Sequence, residues 1–338
     1  MKHPTLFITS RSERHQQNAL AAAPANLEIT MRRDPPRAEI LQMLPQMEFL
    51  ISERAGEIDA EMIAAGRNLK LIQRLGSQTW DIDLDAARRA NIPVCYMPVA
   101  TCQIVAEHMV MQMLVTAKHL RELMRVTEEA GDWGEPRRCT EDYYAYNWSH
   151  REGIRGLRQS TVGILGFGEI GIELARRLST FDCLVLYNKR KGLPAQMEAD
   201  LKIKFATNAD LLAQSDFICS LLPLLPETDQ SINAKAFAMM KPGAFFVHCG
   251  GGAVIDENAL IDALRSGHLA GAALDTYTYL PLRPDDPLLA LARDPLQNLI
   301  LTPHVAAGTP ATASIRRAGD YANLTAILNG KPLEYQLA

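Results

Sequence analysis

Short apolar blocks alternate with stretches of helical period along most of this chain. In the first hundred residues Leu6–Thr9, Leu27–Thr30, Phe49–Ser52, Leu69–Leu75 and Val94–Met97 are compact runs that predict strands. Between them Ala19–Ala23, Asp59–Ala65 and Asp83–Ala90 read as helices, the last two with an acid near the start, where the helix dipole favours one. Such alternation predicts a parallel sheet with covering helices. Ile104–Arg125 then predicts one long helix rich in Val, Met and Leu, on which Glu107 and His108 read as packing or hydrogen-bonding residues. The pattern breaks between 131 and 156, where Trp133, Tyr143, Tyr144, Tyr146 and Trp148 stand among charges, prolines and glycines, as in an oligomer contact or ordered arm. Alternation then resumes. Strands are expected at Thr161–Leu165, Cys183–Asn188, Phe217–Leu222, Ala244–Cys249, Leu269–Asp275 and Leu299–Leu301. Helices are expected at Asn233–Met240, Glu257–Ser266 and, closing the chain, Ala311–Leu328.

One junction in this pattern carries chemistry. The strand Thr161–Leu165 runs into Gly166-Phe167-Gly168-Glu169-Ile170-Gly171, and a helix follows at once. Gly166 permits a tight turn, Gly168 lets backbone approach a pyrophosphate, and Gly171 permits close helix–strand packing. The helix start offers N–H groups and the positive dipole end to phosphate. Strand, turn, helix and second strand fall at the spacing of a dinucleotide site, so the motif is more than a glycine coincidence.

Composition narrows the rest. The 338 residues, 47% hydrophobic, suffice for two modest cores, and about 160 of them precede the glycine turn. A formal charge of −4 gives no electrostatic footprint for nucleic acid. No run of 18 apolar residues predicts a membrane span, and Met1–Ser10 reads as a strand without the apolar segment of a signal peptide. The 6 cysteines are scattered without a CxxC pair, so no metal site is expected; most read as small buried hydrophobes of a reducing cytoplasm.

Further landmarks join the glycine turn: Val105-Ala106-Glu107-His108, Leu222-Pro223 followed by Thr228, Met240-Lys241-Pro242-Gly243-Ala244, Gly271-Ala272-Ala273-Leu274-Asp275 and Thr302-Pro303-His304. With these the chain resembles the D-isomer-specific 2-hydroxyacid dehydrogenases over nearly its full length. The resemblance implies an α/β fold of two domains. A Rossmann dinucleotide-binding domain (103–306) is inserted into a flavodoxin-like substrate domain made of 1–102 and 307–338. It also implies a small-molecule substrate and a homodimer.

In that family a histidine carries the proton to or from the C2 oxygen, a glutamate orients it, and an arginine grips the substrate carboxylate. The histidine matches at His304. The arginine position falls on Gly251, within His248-Cys249-Gly250-Gly251-Gly252, and the glutamate position on Leu280, within Leu280-Pro281. A loop that receives the carboxylate on backbone amides becomes Gly76-Ser77-Gln78-Thr79-Trp80, with new bulk at Gln78 and Trp80. Three altered substrate positions favour a reshaped pocket over local drift. Arg74 and Arg283 are candidates for a compensating cation. His248 reads as either a second acid/base group or a neutral hydrogen-bond partner, while Tyr277 and Tyr279 read as proton donors, aromatic walls or core residues. The glycines at 250–252 read as close backbone approach to the cofactor.

The catalytic candidates are therefore His304 and His248. The cofactor candidates are Gly166, Phe167, Gly168, Glu169, Ile170, Gly171, Asn188, Lys189, Arg190, Leu222, Pro223, Thr228, Cys249, Gly250, Asp275, His304 and Ala306. The substrate candidates are Ser77, Gln78, Trp80, Gly251 and Tyr277. The second strand of the dinucleotide unit ends Tyr187-Asn188-Lys189-Arg190-Lys191, without the carboxylate that selects the ribose hydroxyls of NAD. Its cations match a 2′-phosphate, so NADP is expected over NAD. The leading reading is an NAD(P)-dependent oxidoreductase acting on CH–OH or carbonyl groups, with a substrate site unsuited to small 2-keto acids. The alternative is a catalytically impaired NAD(P)-binding sensor or scaffold.

Overall fold

The computed structural model describes residues 2–53, 56–129, 131–308 and 317–338. The chain divides into two compact units, Met1–Cys102 with Gly308–Ala338, and Gln103–Ala307. Each is an α/β layer structure built on a parallel sheet.

The first unit holds β1 (His3–Thr9), β2 (Leu27–Arg33), β3 (Phe49–Glu53), β4 (Leu71–Leu75) and β5 (Val94–Met97). Their order is β2-β1-β3-β4-β5, the flavodoxin-like arrangement. Side chains alternate across the sheet, so Leu6, Ile8, Leu50, Ile72 and Val94 fill one core while Phe7, Phe49, Ile51 and Leu71 fill the other. Because both faces are covered, the strands read as continuous apolar runs. The acids expected at helix starts are N-caps: Asp59 accepts from Met62 N ahead of Ala60–Ala65, and Asp83 from Ala86 N ahead of Leu84–Arg89. Tyr321 and Leu324 join the second of these cores, bringing the C-terminal helix Ala322–Leu328 onto the sheet. Of the expected closing helix, Ala322–Leu328 is α-helical. Residues 311–316 lie outside the described residues, and Arg317–Tyr321 is a 3₁₀ turn.

The second unit holds β6 (Thr161–Leu165), β7 (Leu184–Asn188), β8 (Ile203–Phe205), β9 (Phe217–Ser220), β10 (Ala244–His248), β11 (Leu269–Leu274) and β12 (Leu299–Leu301). The order β12-β11-β10-β9-β6-β7-β8 is doubly wound, and the direction of winding reverses between β6 and β9. Helices Glu257–Arg265 and Pro287–Arg293 contribute Leu260, Leu264, Leu288 and Leu291 to its largest core. The short strand β8 and its flanking helices Ala195–Leu201 and Asn208–Gln214 have no counterpart in the sequence pattern.

The single helix expected over Ile104–Arg125 is two, Ala100–Ala117 and Leu120–Glu129. The break falls at His119, whose φ of 49° is left-handed and closes the first helix. A histidine inside an apolar period gives no signal for such a stop.

Candidate active site

In a doubly wound sheet, ligands meet the crevice beyond the carboxyl ends of the strands, beside the switch point. Every candidate of the second unit lies on that edge. The Gly166 turn follows β6, Asn188–Arg190 follows β7, and Leu222–Thr228 follows β9. Cys249–Gly252 follows β10, Asp275–Leu280 follows β11, and Thr302–Ala306 follows β12. Ser77, Gln78 and Trp80 belong to the first unit, at the carboxyl end of β4.

The glycine turn is built for a phosphate. Gly166 has φ 82°, and a Cβ there would press on the backbone of Leu221 and Leu222 at 2.8 Å. Gly168 is the N-cap of helix Glu169–Leu178, no side chain caps that end, and a Cβ on it would meet nothing within 4 Å. Room and a first turn without a side-chain cap therefore coincide, so this chain fits the pyrophosphate of a dinucleotide. Two details differ from the sequence reading. A Cβ on Gly171 would meet the Phe167 ring at 3.0 Å, so that glycine makes way for a side chain rather than for a strand. Phe167 is itself buried, its ring 4.7 Å from that of Tyr187, which leaves only its backbone toward the turn.

At the far side of the dinucleotide unit, Asn188 donates its amide to Ala206 O at 2.8 Å. Tyr187 donates its phenol to Glu198 at 2.6 Å and accepts from Leu193 N at 2.7 Å, closing the basic segment into a loop; burial and that carboxylate push its pKa up to about 12. Arg190 is exposed on this loop. Thr228 pins the loop after β9, donating to Pro223 O at 2.6 Å and accepting from Leu225 N at 2.8 Å.

His304 stands on a turn that Asp275 organises. The buried carboxylate accepts Thr302 Oγ1 at 2.6 Å and Val305 N at 2.9 Å on Oδ1, and Ala306 N at 2.9 Å on Oδ2. His304 itself has φ 55°, and its ring is exposed with no side-chain partner among the described residues. Beneath the turn, His108 and Gln112 lie one helical turn apart on one face and both reach Thr302 Oγ1, at 3.3 and 3.5 Å. Burial holds the His108 imidazole below its ordinary pKa, with Asp275 acting the other way. Cys249 donates to Gln112 Oε1 at 3.4 Å, and burial pushes its thiol well up. The i, i+4 spacing of His108 and Gln112 was the available sign of this support, and Gln112 and Thr302 were not read from it.

Tyr277, Leu280, Pro281, Leu282, Leu289, Leu301, Thr302, Pro303 and His304 line one open cleft of about 460 Å³. Leu280, at the glutamate position, therefore shares its wall with His304, and among the described residues no carboxylate does. Tyr277 is committed elsewhere. Its phenol lies 2.7 Å from Thr302 O and 3.1 Å from Leu274 O, and burial raises its pKa, so it serves the cleft as an aromatic wall. Tyr279 is exposed under the Arg283 guanidinium, 4.8 Å from its ring centre.

His248 lies on the other side of β11, fully buried. Nε2 is 3.2 Å from Gly251 O, Nδ1 has no partner, and burial lowers its pKa to about 4. It is a neutral hydrogen-bond partner to the glycine segment, not a solvent-facing acid. That segment also packs closely against the chain itself. A Cβ on Gly250 would lie 2.6 Å from Leu222 O, one on Gly251 2.6 Å from Leu224 N, and one on Gly252 would overlap Tyr277 O. In the first unit, Arg74 is spent on Asp81 at 2.5 Å, Ser52 Oγ at 2.9 Å and Gly56 O at 3.3 Å, and so staples the Gly76 loop. Among the described residues no His, Cys, Asp and Glu group is placed to hold a metal, and no helix is long and apolar enough to cross a membrane.

This doubly wound sheet with a phosphate-ready glycine turn is that of a dinucleotide-binding protein. Residues 110–306 match the family model described as D-isomer specific 2-hydroxyacid dehydrogenase, NAD binding domain, and the chain belongs to that family. The match supports a nicotinamide cofactor. The chain is 31% identical over 324 residues to a D-3-phosphoglycerate dehydrogenase of Mycobacterium leprae (strain TN), covering 95% of this chain and 56% of that protein. It is 32% identical over 275 residues to glyoxylate/hydroxypyruvate reductase B of Shigella boydii serotype 4 (strain Sb227), covering 81% and 79%. It thus spans about half the length of the phosphoglycerate dehydrogenases it matches. Among solved structures, a glyoxylate reductase from Paecilomyes thermophila aligns with a TM-score of 0.54 and 27% identity, over 99% of this chain and 98% of that one.

Proposed function

We propose that this protein is an NADP-dependent oxidoreductase that interconverts a carbonyl and an alcohol, with His304 as the proton carrier, on a substrate other than a small 2-keto acid. The observation that carries this reading is His304 exposed on a cleft beside Leu280, while the glycine turn keeps its phosphate-ready form. When bound, the nicotinamide supplies or accepts the hydride. The chain's own part is a proton held on the His304 imidazole and passed to or taken from the substrate oxygen. Asp275, through Thr302, Val305 and Ala306, keeps that ring in place. Gly166–Gly171 hold the pyrophosphate, and Lys189 and Arg190 the 2′-phosphate. Pro223, Thr228, Cys249 and Gly250 shape the nicotinamide end.

The unit formed by 1–102 and 307–338 acts in this reading as the substrate domain, presenting Ser77, Gln78 and Trp80. The protein works as a cytoplasmic homodimer, with the exposed aromatic segment 131–156 as its contact. Of two candidate histidines, His304 is preferred because His248 is fully buried and kept neutral.

Gly251 supplies no cation for a substrate carboxylate, and losing one charge-assisted hydrogen bond costs about 1.5–3 kcal/mol. Pyruvate and glyoxylate are therefore expected to turn over poorly with NADPH, and neutral carbonyl compounds better. Rapid turnover of either acid in a clean assay sinks the reshaped site. A second reading, a nucleotide-binding sensor, draws on Gly251 and Leu280 standing where two catalytic side chains are expected. NADPH binding without turnover of any carbonyl would favour it.

A further inference from the structure

The cleft beside His304 is unusual in what it presents. Leu280 is 48% exposed at its rim, and Leu282, Leu289 and Leu301 continue an apolar wall. Thr302 and Tyr277, its other polar side chains, are both committed: the hydroxyl to Asp275 at 2.6 Å and the phenol to Thr302 O at 2.7 Å. The His304 imidazole is thus the one polar side chain of the lining without a partner among the described residues. Among the described residues, no charged group of either sign shares the wall. A carboxylate entering here would lose water and gain no cation, whereas an alkyl or aryl group would cover leucine surface. At about 460 Å³ the cleft also exceeds what a three-carbon acid fills and falls in the range of sites for larger organic ligands.

We propose that this cleft receives the apolar chain or ring of a neutral aldehyde or ketone, with the carbonyl oxygen directed to His304. The inference rests on the oxidoreductase reading above for its reaction, but not for its binding. The same wall serves the reverse direction, taking the matching alcohol. Selectivity then follows from apolar length rather than from a carboxylate clamp, and Leu280 and Leu289 are the residues that set it.

The test is a series of straight-chain aldehydes from propanal to octanal, with 2-keto acids of equal chain length beside them, assayed on the whole protein with NADPH. For aldehydes kcat/KM is expected to climb about fourfold for each of the first few methylenes, the value of burying a CH₂ group. Each keto acid should fall below its aldehyde. Leu289→Asp should flatten the climb with NADPH affinity unchanged. Leu280→Asn, at an exposed position that tolerates a neutral polar side chain, should flatten it too if the first variant fails to fold. A flat aldehyde series, or a preference for short keto acids, overturns the inference while leaving an oxidoreductase in place. Absence of turnover throughout overturns the oxidoreductase reading instead, and calorimetry then decides the cleft. Octanal binding to the NADPH-loaded protein at least tenfold tighter than butanal, lost in Leu289→Asp, upholds it. Equal or no binding ends it.

Discussion

Thr302 donates its hydroxyl to Asp275 Oδ1 at 2.6 Å, and this contact joins the ends of two neighbouring strands just before the turn that carries His304. Asp275 has no contact with the histidine ring, yet three of its hydrogen bonds define where that ring can be. Asp275→Asn replaces an acceptor by a donor facing a backbone N–H. We expect about 2–3 kcal/mol of lost stability and a comparable loss of turnover. Denaturant unfolding alongside NADPH-linked kinetics checks this. An unchanged midpoint would mean that the turn is held by something else.

His304→Ala should lower turnover about a hundredfold or more and leave NADPH affinity nearly intact. Steady-state kinetics with the best substrate of the aldehyde series, together with a cofactor titration, separates the two effects. An active variant would remove the proton carrier assigned above.

Arg190→Ala should weaken NADPH by about 1–3 kcal/mol and leave NADH unchanged, as expected for one charge-assisted hydrogen bond to a 2′-phosphate. Equal losses for the two cofactors in a fluorescence titration contradict the assignment.

The strands were the legible part of this chain. β5 and β12 fall on the very residues that their apolar runs predict, because breakers bound each run, Pro93 and Pro98 around β5 and Asn298 and Pro303 around β12. Of the missed helices, Arg37–Met43 and Ala195–Leu201 start after a proline with no capping side chain, whereas the shorter Ala60–Ala65 and Leu84–Arg89 are marked by Asp59 and Asp83. The glycine turn and His304 were legible because their chemistry demands particular residue types in order. His248 was not, since a histidine at a strand end reads alike whether its ring faces water or core. Only burial separates those cases, and it depends on neighbouring strands that sequence spacing does not reveal.

His248 also gives the protein an acid-side weakness. Its pKa falls from about 6.5 in an unfolded chain to about 4 in the fold, with burial as the largest cause. The folded state therefore favours the neutral ring. The stability this confers is complete above about pH 6.5, is lost as pH falls toward 4, and changes no further below that. The difference amounts to about 3 kcal/mol across that window. His248→Asn carries no such proton, so wild type should lose stability relative to the variant between pH 7 and pH 4. Chemical denaturation at several pH values reads the gap directly, and parallel curves would show that the ring is not buried neutral.

Gly251 bears on how reversible this site is. Any side chain there starts 2.6 Å from Leu224 N and 2.8 Å from Leu224 Cβ, so an arginine needs the loop after β9 to retreat before it fits. A retreat without the arginine would leave Gly251 facing a gap where Leu224 now packs. Neither change is tolerable without the other, which is the condition for steric epistasis. Gly251→Arg alone is therefore expected to disturb the loop after β9 instead of installing a carboxylate clamp.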